Sequence, residues 1–294
     1  EIIAHRGASH DAPENTIAAF RLGWKQRADA VELDIQLTRD GQIVVIHDGD
    51  TKRTTGRSDR VADQTLADLR TLDAGSWKGP AWKGEKLPTL SEALETVPQG
   101  KRMFIEIKCG PEVLPVLQQV LAASRKTLKQ VTVIGFNYAT MKDAKSRLPK
   151  VPVYWLANYE ADKKTQKRPE IDTLIRKAKA AGLDGLNLES KFPIDAALVA
   201  KVKAAGLRLY VWTVDDAALA ARLSQAGVDG ITTNRPEWLR GQLEVLCPSC
   251  AALPKAAEPA ASLRVGDGPE HRVEVCLGDR VVLRSPDEGL WSVA

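Results

Sequence analysis

The sequence predicts a closed parallel (β/α)8 barrel of the TIM type, with a short insertion after a hairpin on the second strand and a small C-terminal extension. Strand-like and helix-like segments alternate over residues 1–246, the order expected of a parallel sheet covered by helices. Eight strand segments remain when the returning arm of the hairpin is set aside. The segment after the first strand, His5-Arg6-Gly7-Ala8, lacks the GxGxxG pattern that a doubly wound sheet usually places there.

The predicted elements follow one another regularly along the chain. Strand patterns lie at 2–5, 30–36, 102–108, 131–135, 152–156, 184–188, 207–213 and 229–233. Helical patterns lie at 15–27, 91–97, 112–124, 138–147, 170–181, 195–205, 216–226 and near 236–243. Several helices end on a glycine before the next strand, at Gly182, Gly206 and Gly227, as helix C-termini commonly do.

The hairpin is predicted over residues 30–47. Glu32 and Asp34 alternate with apolar residues, so they share one face of the strand. Asp40-Gly41 is the dipeptide that a two-residue type I′ turn prefers. With this dipeptide as the loop, Asp34 pairs with His47, and cross-strand partners share a face. The pattern therefore predicts that His47 returns to the side of the sheet that holds the carboxylates.

A hairpin at a sheet edge with a polar solvent face would show similar alternation. The returning segment 43–46 is apolar on both faces, which indicates that other parts of the chain cover it. Two carboxylates and an imidazole that converge in a covered place are costly unless they bind something. This favours a functional cluster over a solvated edge.

The composition is that of a globular protein and excludes some classes of function. Of the 294 residues, 44% are hydrophobic and 27% are charged, and the net charge is +4 with both signs interspersed. So mild a charge does not indicate a nucleic-acid partner. No apolar run is long enough for a transmembrane segment, and no signal peptide is recognisable. Two compartments stay open, the cytoplasm and export with the signal removed.

Two regions depart from the barrel pattern. Residues 50–90 form an insertion directly after His47, and we expect it either to shape substrate access or to be a passive surface flap. Residues 247–294 combine an Ala/Pro-rich linker with a small hairpin near 272–284. This tail contains four potential metal ligands, Cys247, Cys250, His271 and Cys276. They suit either a structural zinc site or a disulfide and free thiols.

Charged and titratable residues stand at the predicted C-terminal strand ends, where a TIM barrel places its active site. They are His5, Arg6, Glu32, Asp34, His47, Glu106 and Lys108. The three carboxylates are hard oxygen ligands that suit one divalent cation, Mg²⁺ or Ca²⁺. The arginine and the lysine suit a phosphate, and the two histidines can exchange protons near neutral pH. Together these groups indicate phosphodiester cleavage; a salt-bridge network closing the barrel would not explain the second histidine.

The chain resembles the glycerophosphodiester phosphodiesterase family over residues 1–243. The family pattern begins with His-Arg-Gly and Pro-Glu-Asn-Thr and continues with Glu-x-Asp, Thr-x-Asp-Gly, His-Asp and Glu-x-Lys. The matching segments here are His5-Arg6-Gly7, Pro13-Glu14-Asn15-Thr16, Glu32-Leu33-Asp34, Thr38-Arg39-Asp40-Gly41, His47-Asp48 and Glu106-Ile107-Lys108. One departure is Gly135-Phe136, where many members have Ser-Phe. Glu14 and Asn15 also allow a structural interpretation, because Asn15 stands where a helix N-cap is expected.

The resemblance implies a TIM-type barrel and the hydrolysis of glycerophosphodiesters to an alcohol and sn-glycerol 3-phosphate. It implies one divalent cation on Glu32, Asp34 and Glu106. It implies that His5 and His47 act as general acid and base, and that Arg6 and Lys108 bind the phosphate. The nucleophile is either water or the 2-hydroxyl of glycerol. Trp212, Phe136 and Trp77 are candidates for an apolar wall that meets the glycerol or the leaving group, although the first two also suit barrel-top packing.

Three alternatives stay open on the sequence alone. The same metal and histidines would serve a lysophospholipase D or a sphingomyelinase D-like phosphodiesterase that acts on lipids. The polar and basic insertion argues against the apolar groove that such an enzyme needs. A barrel that binds glycerophosphodiesters without turnover would be expected to lack a ligand or a histidine, and none is missing. The C-terminal hairpin would also suit an interaction module.

Overall fold

We analysed a computed structural model, which describes residues 1–161 and 166–247, together with the backbone of three strands at 272–275, 281–284 and 291–293. The chain divides into two units, Glu1–Ala251 and Ala252–Ala294. The described strands of the first unit are β1 (Ile2–Ala4), β2 (Ala30–Leu37), β3 (Ile43–Val45), β4 (Arg102–Ile107), β5 (Val131–Gly135), β6 (Val153–Ala157), β7 (Gly185–Glu189), β8 (Arg208–Trp212) and β9 (Gly230–Thr233).

Eight of these strands form a closed parallel barrel, which confirms the predicted fold class. The pairs run in the order β1-β9-β8-β7-β6-β5-β4-β2, and β1 also pairs with β2. All of these pairs are parallel, whereas β3 pairs antiparallel with the C-terminal end of β2. Because β2 and β9 both pair with β1, the sheet has no open edge within the barrel.

Helices connect the strands and cover the barrel. The described α-helices are α1 (Ile17–Lys25), α2 (Lys52–Thr55), α3 (Leu66–Arg70), α4 (Leu90–Glu95), α5 (Leu114–Ala123), α6 (Tyr138–Arg147), α7 (Ile171–Ala180), α8 (Ala196–Ala204), α9 (Ala217–Ala226) and α10 (Pro236–Leu246). Short 3₁₀ helices lie at Val61–Asp63, Pro80–Trp82, Pro111–Val113 and Leu128–Gln130. α9 ends at Gly227 in the left-handed conformation, as the sequence predicts.

Along β2 and β4, the apolar side chains that point outward alternate with side chains that point into the barrel. Val31, Leu33 and Ile35 point outward into the core between the sheet and the helices. The inward positions of β2 are small at the N-terminal end of the strand and charged at the other, where Asp34 pairs in register with Glu106 of β4. Neighbouring strands lie about 4.8 Å apart, so this register brings the two carboxylates side by side.

Aromatic rings fill the bottom of the barrel. Phe104 contacts Tyr210 edge to face with ring centroids 5.2 Å apart, and Tyr154 stacks on Tyr210 at 4.9 Å. All three rings are buried, and each such pair contributes about 0.5–1.5 kcal/mol beyond its buried area. The filled floor confines any open space to the top of the barrel, at the C-terminal strand ends.

The helix that follows β1 begins later than expected. Its N-cap is Thr16, whose Oγ1 accepts a hydrogen bond from the amide of Ala19. The prediction that Asn15 caps this helix is therefore wrong. Asn15 adopts the left-handed conformation with φ 59°, and its side chain turns inward toward the barrel. A short amide side chain tolerates this conformation, which allows Asn15 to serve the site described below.

The hairpin has a different register from the one predicted. Ile35 pairs with Val45 and Leu37 with Ile43, so Asp34 and His47 are not cross-strand partners. The loop is longer than two residues: the amide of Gly41 donates to the carbonyl of Thr38, and Gly41 alone of Asp40-Gly41 has positive φ. This is a turn with a bulge rather than type I′. A one-residue change of register exchanges the faces of a strand.

The insertion packs as a small separate cluster against β3. Val44 and Ile46 lie against Val61, Leu69 and Leu87, so the returning arm is covered on this face, as its apolar sequence indicates. One loop of the insertion is tied together by Asp73, whose carboxylate accepts hydrogen bonds from the amides of residues 75, 76 and 84. These bonds lower the pKa of Asp73.

In the second unit, three described strands form an antiparallel sheet: β10 (Arg272–Val275), β11 (Val281–Arg284) and β12 (Trp291–Val293). Of the four potential ligands in the tail, Cys250, His271 and Cys276 lie outside the described residues. Cys247 is buried and forms a disulfide, so its sulfur is not a thiolate ligand. Among the described helices, none is both long and apolar enough to cross a membrane.

Candidate active site

Three carboxylates converge at the top of the barrel. Glu32 and Asp34 come from β2 and Glu106 from β4, and one oxygen from each of them lies within 4.8 Å of the other two. All three are buried, and Asp34 is completely inaccessible. Oxygen ligands at this separation suit a hard divalent cation.

The electrostatics of the cluster fit a cation. Burial and the neighbouring charges of Asp34 and Glu106 raise the pKa of Glu32 well above its usual value. Burial and the charge of Asp34 raise the pKa of Glu106 to about 7, although Lys108 opposes this shift. Two buried oxygens, Oε1 of Glu32 and Oδ1 of Asp34, have no hydrogen-bond partner. Buried acceptors are rarely left unpaired, and a metal ion would satisfy both atoms and relieve the repulsion.

The loop after β1 supplies further contacts to this cluster. The backbone amide of Arg6 donates to Oε2 of Glu32 at 2.8 Å, and the guanidinium of Arg6 lies 3.3 Å from Oδ2 of Asp34. Asn15 donates through Nδ2 to the same Oδ2 at 2.8 Å, and its Oδ1 accepts from the Asp34 amide at 3.1 Å. The inward turn of Asn15 thus fixes the carboxylate of Asp34, which leaves its Oδ1 free for another partner.

Lys108 follows β4 and lies close to a carboxylate, an imidazole and an aromatic ring. Its Nζ donates to Oε1 of Glu106 at 2.8 Å and lies 3.0 Å from Nε2 of His47. It also lies 5.7 Å above the ring of Phe136. Together with Arg6, Lys108 provides positive charge next to the carboxylate cluster, where the oxygens of a phosphate would be stabilised.

His5 follows β1 and faces the cavity. Its Nδ1 lies 2.8 Å from Oδ1 of Asn234. The orientation of that amide is set by Asp215, because Nδ2 of Asn234 lies 2.5 Å from Oδ2 of Asp215, which only accepts. Nδ1 of His5 is therefore the donor and Nε2 holds the lone pair. Burial and the charge of Arg6 lower the pKa of His5 to about 4, which keeps the ring neutral near pH 7.

His47 reaches the same cavity although the hairpin register differs from the prediction. β3 ends at Val45, and the chain leaves the sheet before His47. Its carbonyl accepts from Nε2 of Gln36 at 3.2 Å, and its Nδ1 lies 2.7 Å from Oδ1 of Asp48. The Nε2 atom faces Lys108. A bend after the strand, rather than strand pairing, therefore places this imidazole beside the carboxylates.

The groups surround one cavity of about 200 Å³. Its lining residues are His5, Arg6, Glu32, His47, Glu106, Lys108, Ile134, Phe136, Leu156, Asn187, Trp212, Thr213 and Thr232. Apart from Asp34 and Trp77, all predicted site residues line it. Phe136 and Trp212 meet edge to face at 5.5 Å and form one wall. Trp77 does not belong to the lining, and neither does any other residue of the insertion.

Several residues of the site were not predicted. Asn234 and Asp215 come after β9 and β8 and form a chain of hydrogen bonds behind His5. Asn187 of β7 lines the cavity with a buried Oδ1 that has no partner. The sequence signal for all three is their position at predicted C-terminal strand ends, the same signal that identifies Glu106.

The glycine at position 135, where many family members have serine, is explained by the packing around it. A Cβ atom at this position would lie 2.7 Å from Cε of Met141, so the methionine on α6 fills the space that a larger residue at this strand end would need. The departure from the Ser-Phe pattern is therefore matched by the packing of Met141 and leaves Phe136 at the cavity wall.

Comparisons with known proteins agree with this architecture. The model of the glycerophosphoryl diester phosphodiesterase family matches residues 5–238. A glycerophosphodiester phosphodiesterase of Caldanaerobacter subterraneus is 37% identical over 244 residues, which cover 81% of this chain and 95% of that protein. One of Bacillus subtilis is 34% identical over 256 residues, covering 80% and 83%. The structure of an Oleispira antarctica phosphodiesterase in complex with the product sn-glycerol-3-phosphate has a TM-score of 0.74 and 30% identity, covering 83% and 96%.

The fold and the site define a TIM-barrel phosphodiesterase with a carboxylate cluster that can hold a metal ion. Within that class, the chain belongs to the glycerophosphoryl diester phosphodiesterase family. The resemblance seen in the sequence is confirmed.

Proposed function

We propose that the protein hydrolyses glycerophosphodiesters to an alcohol and sn-glycerol 3-phosphate, with a divalent cation and two histidines. The observation that carries the proposal is the arrangement of His5 and His47 around one cavity with Arg6, Lys108 and the carboxylate cluster. The product in the Oleispira antarctica structure supports the substrate class. Each group then has one task, and none is left without a role.

We assign Mg²⁺ or Ca²⁺ to Glu32, Asp34 and Glu106, because all three offer hard oxygen ligands. Such an ion supplies positive charge that neutralises a phosphate oxygen in the transition state. The guanidinium of Arg6 and the ammonium of Lys108 contribute the remaining charge. Both lie partly buried beside the cluster, where electrostatic interactions are stronger than in water.

The hydrogen bonds of the two histidines divide their roles. His5 is held as the Nδ1-protonated tautomer by the amide oxygen of Asn234, so its Nε2 accepts the proton of the nucleophile. His47 has a carboxylate partner, Asp48, which stabilises the imidazolium. His47 therefore donates the proton that the leaving alkoxide needs. Its Nε2 contacts Lys108 in the free protein, and the incoming phosphate draws Lys108 away from it.

In this reaction the nucleophile forms the new bond to phosphorus, its proton moves to His5, and the bond to the leaving alkoxide breaks as His47 protonates it. The nucleophile is either water, which gives sn-glycerol 3-phosphate directly, or the neighbouring 2-hydroxyl of glycerol, which gives a cyclic phosphate. In the second case a water molecule then attacks phosphorus, the bond to the 2-oxygen breaks and that oxygen takes up a proton, which yields sn-glycerol 3-phosphate. The second path gains from intramolecular proximity. The wall of Phe136 and Trp212 packs against the carbon chain of the substrate, and the unpartnered Oδ1 of Asn187 accepts from a glycerol hydroxyl.

The test is the release of sn-glycerol 3-phosphate from glycerophosphocholine, measured with Mg²⁺, with Ca²⁺ and with EDTA. We expect release with a divalent cation and none with EDTA. No release under any condition from folded protein would overturn the proposal. Release of headgroup from lysophosphatidylcholine in its place would favour the lysophospholipase D or sphingomyelinase D-like alternative.

A further inference from the structure

Arg53 of the insertion makes three short contacts to two carboxylates. Its Nη1 and Nη2 donate to Oε2 and Oε1 of Glu14 at 2.7 and 2.8 Å. Its Nε donates to Oδ2 of Asp48 at 2.7 Å. Arg53 lies on α2, the short helix at the start of the insertion. Two nitrogens of the guanidinium therefore bind one carboxylate in a bidentate manner, and the third nitrogen binds the other carboxylate. Lysine cannot reproduce this geometry.

Each of the two carboxylates also holds a residue of the cavity. Oε1 of Glu14 accepts from Nη1 of Arg6 at 2.9 Å, and Oδ1 of Asp48 lies 2.7 Å from Nδ1 of His47. Burial alone would raise the pKa of Glu14, but the hydrogen bonds from Arg53 and the charge of Arg6 outweigh it and lower the pKa to about 2. The contacts form one unbroken chain, Arg6–Glu14–Arg53–Asp48–His47, across the mouth of the barrel.

The two ends of this chain come from loops with no regular strand pairing to hold them. His47 lies beyond the end of β3, and Arg6 has positive φ in the loop after β1. Asp48 is half-buried and Arg53 is exposed, so neither is fixed by packing alone. Arg53 does not line the cavity, and it can act on the reaction only through Asp48 and Glu14.

We propose that Arg53 is a positioning residue that couples the loop of His47 to the loop of Arg6, so that the proton donor and a phosphate-binding cation keep a fixed relative geometry. This gives the insertion a role in the reaction without contact with substrate. The expected effect on the reaction rate rests on the proposed function, whereas the coupling of the two loops does not. A displacement of about 1 Å in a catalytic group can cost about 10²-fold in rate.

The first experiment uses NMR of the histidine side chains in wild type, Arg53→Ala and Arg57→Ala. Arg57 is the matched control, because it belongs to the same insertion and pairs with Asp59 outside the chain of contacts. The sequence has four histidines, so single substitutions assign their signals. We expect the ring signals of His47 to be alike in wild type and Arg57→Ala, and shifted or broadened in Arg53→Ala, because the loop of His47 is then no longer tied to the loop of Arg6. An unchanged His47 signal in Arg53→Ala overturns the inference, whatever the activity.

The second experiment measures kcat and KM of the same variants on glycerophosphocholine with saturating cation. We expect Arg53→Ala to lower kcat by about 10- to 100-fold with a smaller change in KM, and Arg57→Ala to stay within about twofold of wild type. In an Asp48→Asn background, Arg53→Ala should have a smaller effect, because the contact through which Arg53 acts on His47 is already altered. Equal effects in both backgrounds overturn the inference, whereas an inactive wild type overturns only the proposed function.

Discussion

His5 and Asn234 are joined by a hydrogen bond of 2.8 Å between Nδ1 and Oδ1, and Asp215 holds the amide in the one orientation that makes the imidazole the donor. The partner of His5 is thus a neutral acceptor, whereas His47 has the carboxylate of Asp48. A carboxylate favours the charged imidazolium and a neutral amide does not. This difference underlies the proposed division into base and acid.

Asn234→Asp tests that relationship through the pH dependence of kcat/KM. Burial and the charge of Arg6 lower the pKa of His5 to about 4, so the base stays deprotonated down to that pH. A carboxylate at position 234 would stabilise the imidazolium and raise the pKa of His5. We therefore expect the acidic limb of the profile to move to higher pH by about one unit or more. A limb at the same pH in wild type and variant would contradict the assignment of His5.

Substitution of either cavity histidine should lower kcat far more than substitution of a surface histidine. His5→Ala and His47→Ala remove groups at the reacting centre, and we expect each to lower kcat by about 10²- to 10⁴-fold with the barrel intact by circular dichroism. His10→Ala is the matched control, because His10 is exposed and its side chain bonds only to Asp11 among the described residues. We expect wild-type turnover from it. Near-normal turnover in either cavity variant would remove that histidine from the mechanism.

The carboxylate cluster should make the stability of the metal-free protein depend on pH. Burial and the charge of Asp34 raise the pKa of Glu106 from 4.5 to about 7. Between these values Glu106 binds more protons in the folded protein than in the unfolded chain. Its contribution to the free energy of unfolding is therefore fully present below about pH 4.5 and is lost as the pH rises to about 7. The lowered pKa of His5 acts in the opposite direction over nearly the same range, so Glu106→Gln serves as the reference. We expect Tm of the wild type relative to Glu106→Gln in EDTA to fall over this window, and a constant difference would contradict the raised pKa of Glu106.

Binding of a divalent cation should restore the stability that the metal-free carboxylate cluster loses as the pH rises. At a concentration of about 100 times Kd, a ligand of the folded state adds about 2.7 kcal/mol, which corresponds to roughly 5–10 °C in Tm for a domain of this size. Glu106→Gln removes one ligand and one charge, so we expect a higher Tm in EDTA near neutral pH and a much smaller response to Mg²⁺ or Ca²⁺. Glu95→Gln, an exposed residue of α4, should behave as wild type in both. Equal metal responses of both variants would refute the site.

Gly7 and Gly41 both have positive φ but differ in their surroundings. A Cβ at Gly7 would lie 2.5 Å from the backbone carbon of Ala19, whereas nothing lies within 4 Å at Gly41. Alanine at either position costs about 1–2 kcal/mol of backbone strain. At Gly7 the clash adds about 1–3 kcal/mol and displaces the loop of Arg6. We expect Gly7→Ala to lose stability and activity and Gly41→Ala to lose only a little stability. Equal unfolding midpoints in urea would contradict this.

Asn187 should determine how tightly the glycerol part of the substrate binds. Replacing it by leucine, which has a similar shape, removes the proposed acceptor, and we expect KM for glycerophosphocholine to rise about tenfold. Thr132→Val is the control, because Thr132 of β5 also has a buried unpartnered oxygen but does not line the cavity. Its KM should not change. If both variants kept the wild-type KM, Asn187 would have no part in binding.

Most of the barrel could be predicted because its determinants are local in sequence. Helix α6 begins and ends at the residues predicted from the sequence, 138 and 147, and the structure adds Asn137 as its N-cap. The strands of the barrel match short apolar segments bounded by turns to within one or two residues. The carboxylates could be predicted as a group for a similar reason, since the alternation along β2 and the position of Glu106 at the end of β4 direct them to one place.

The tertiary structure decided what depends on contacts between distant segments. The hairpin register differs by one residue from the prediction because a bulged turn replaces the two-residue turn, and the bend after β3 nevertheless brings His47 to the cavity. Asn15 lies on Asp34 rather than at the helix N-terminus. Asn234 and Asp215, which hold His5, follow β9 and β8, and no local pattern links Asn234 to His5 or Arg53 to Glu14. The sequence alone determined the barrel, the types of group at its mouth and the adjacent pair His47-Asp48. The partners of His5 follow only from barrel closure, which brings together side chains up to 229 residues apart.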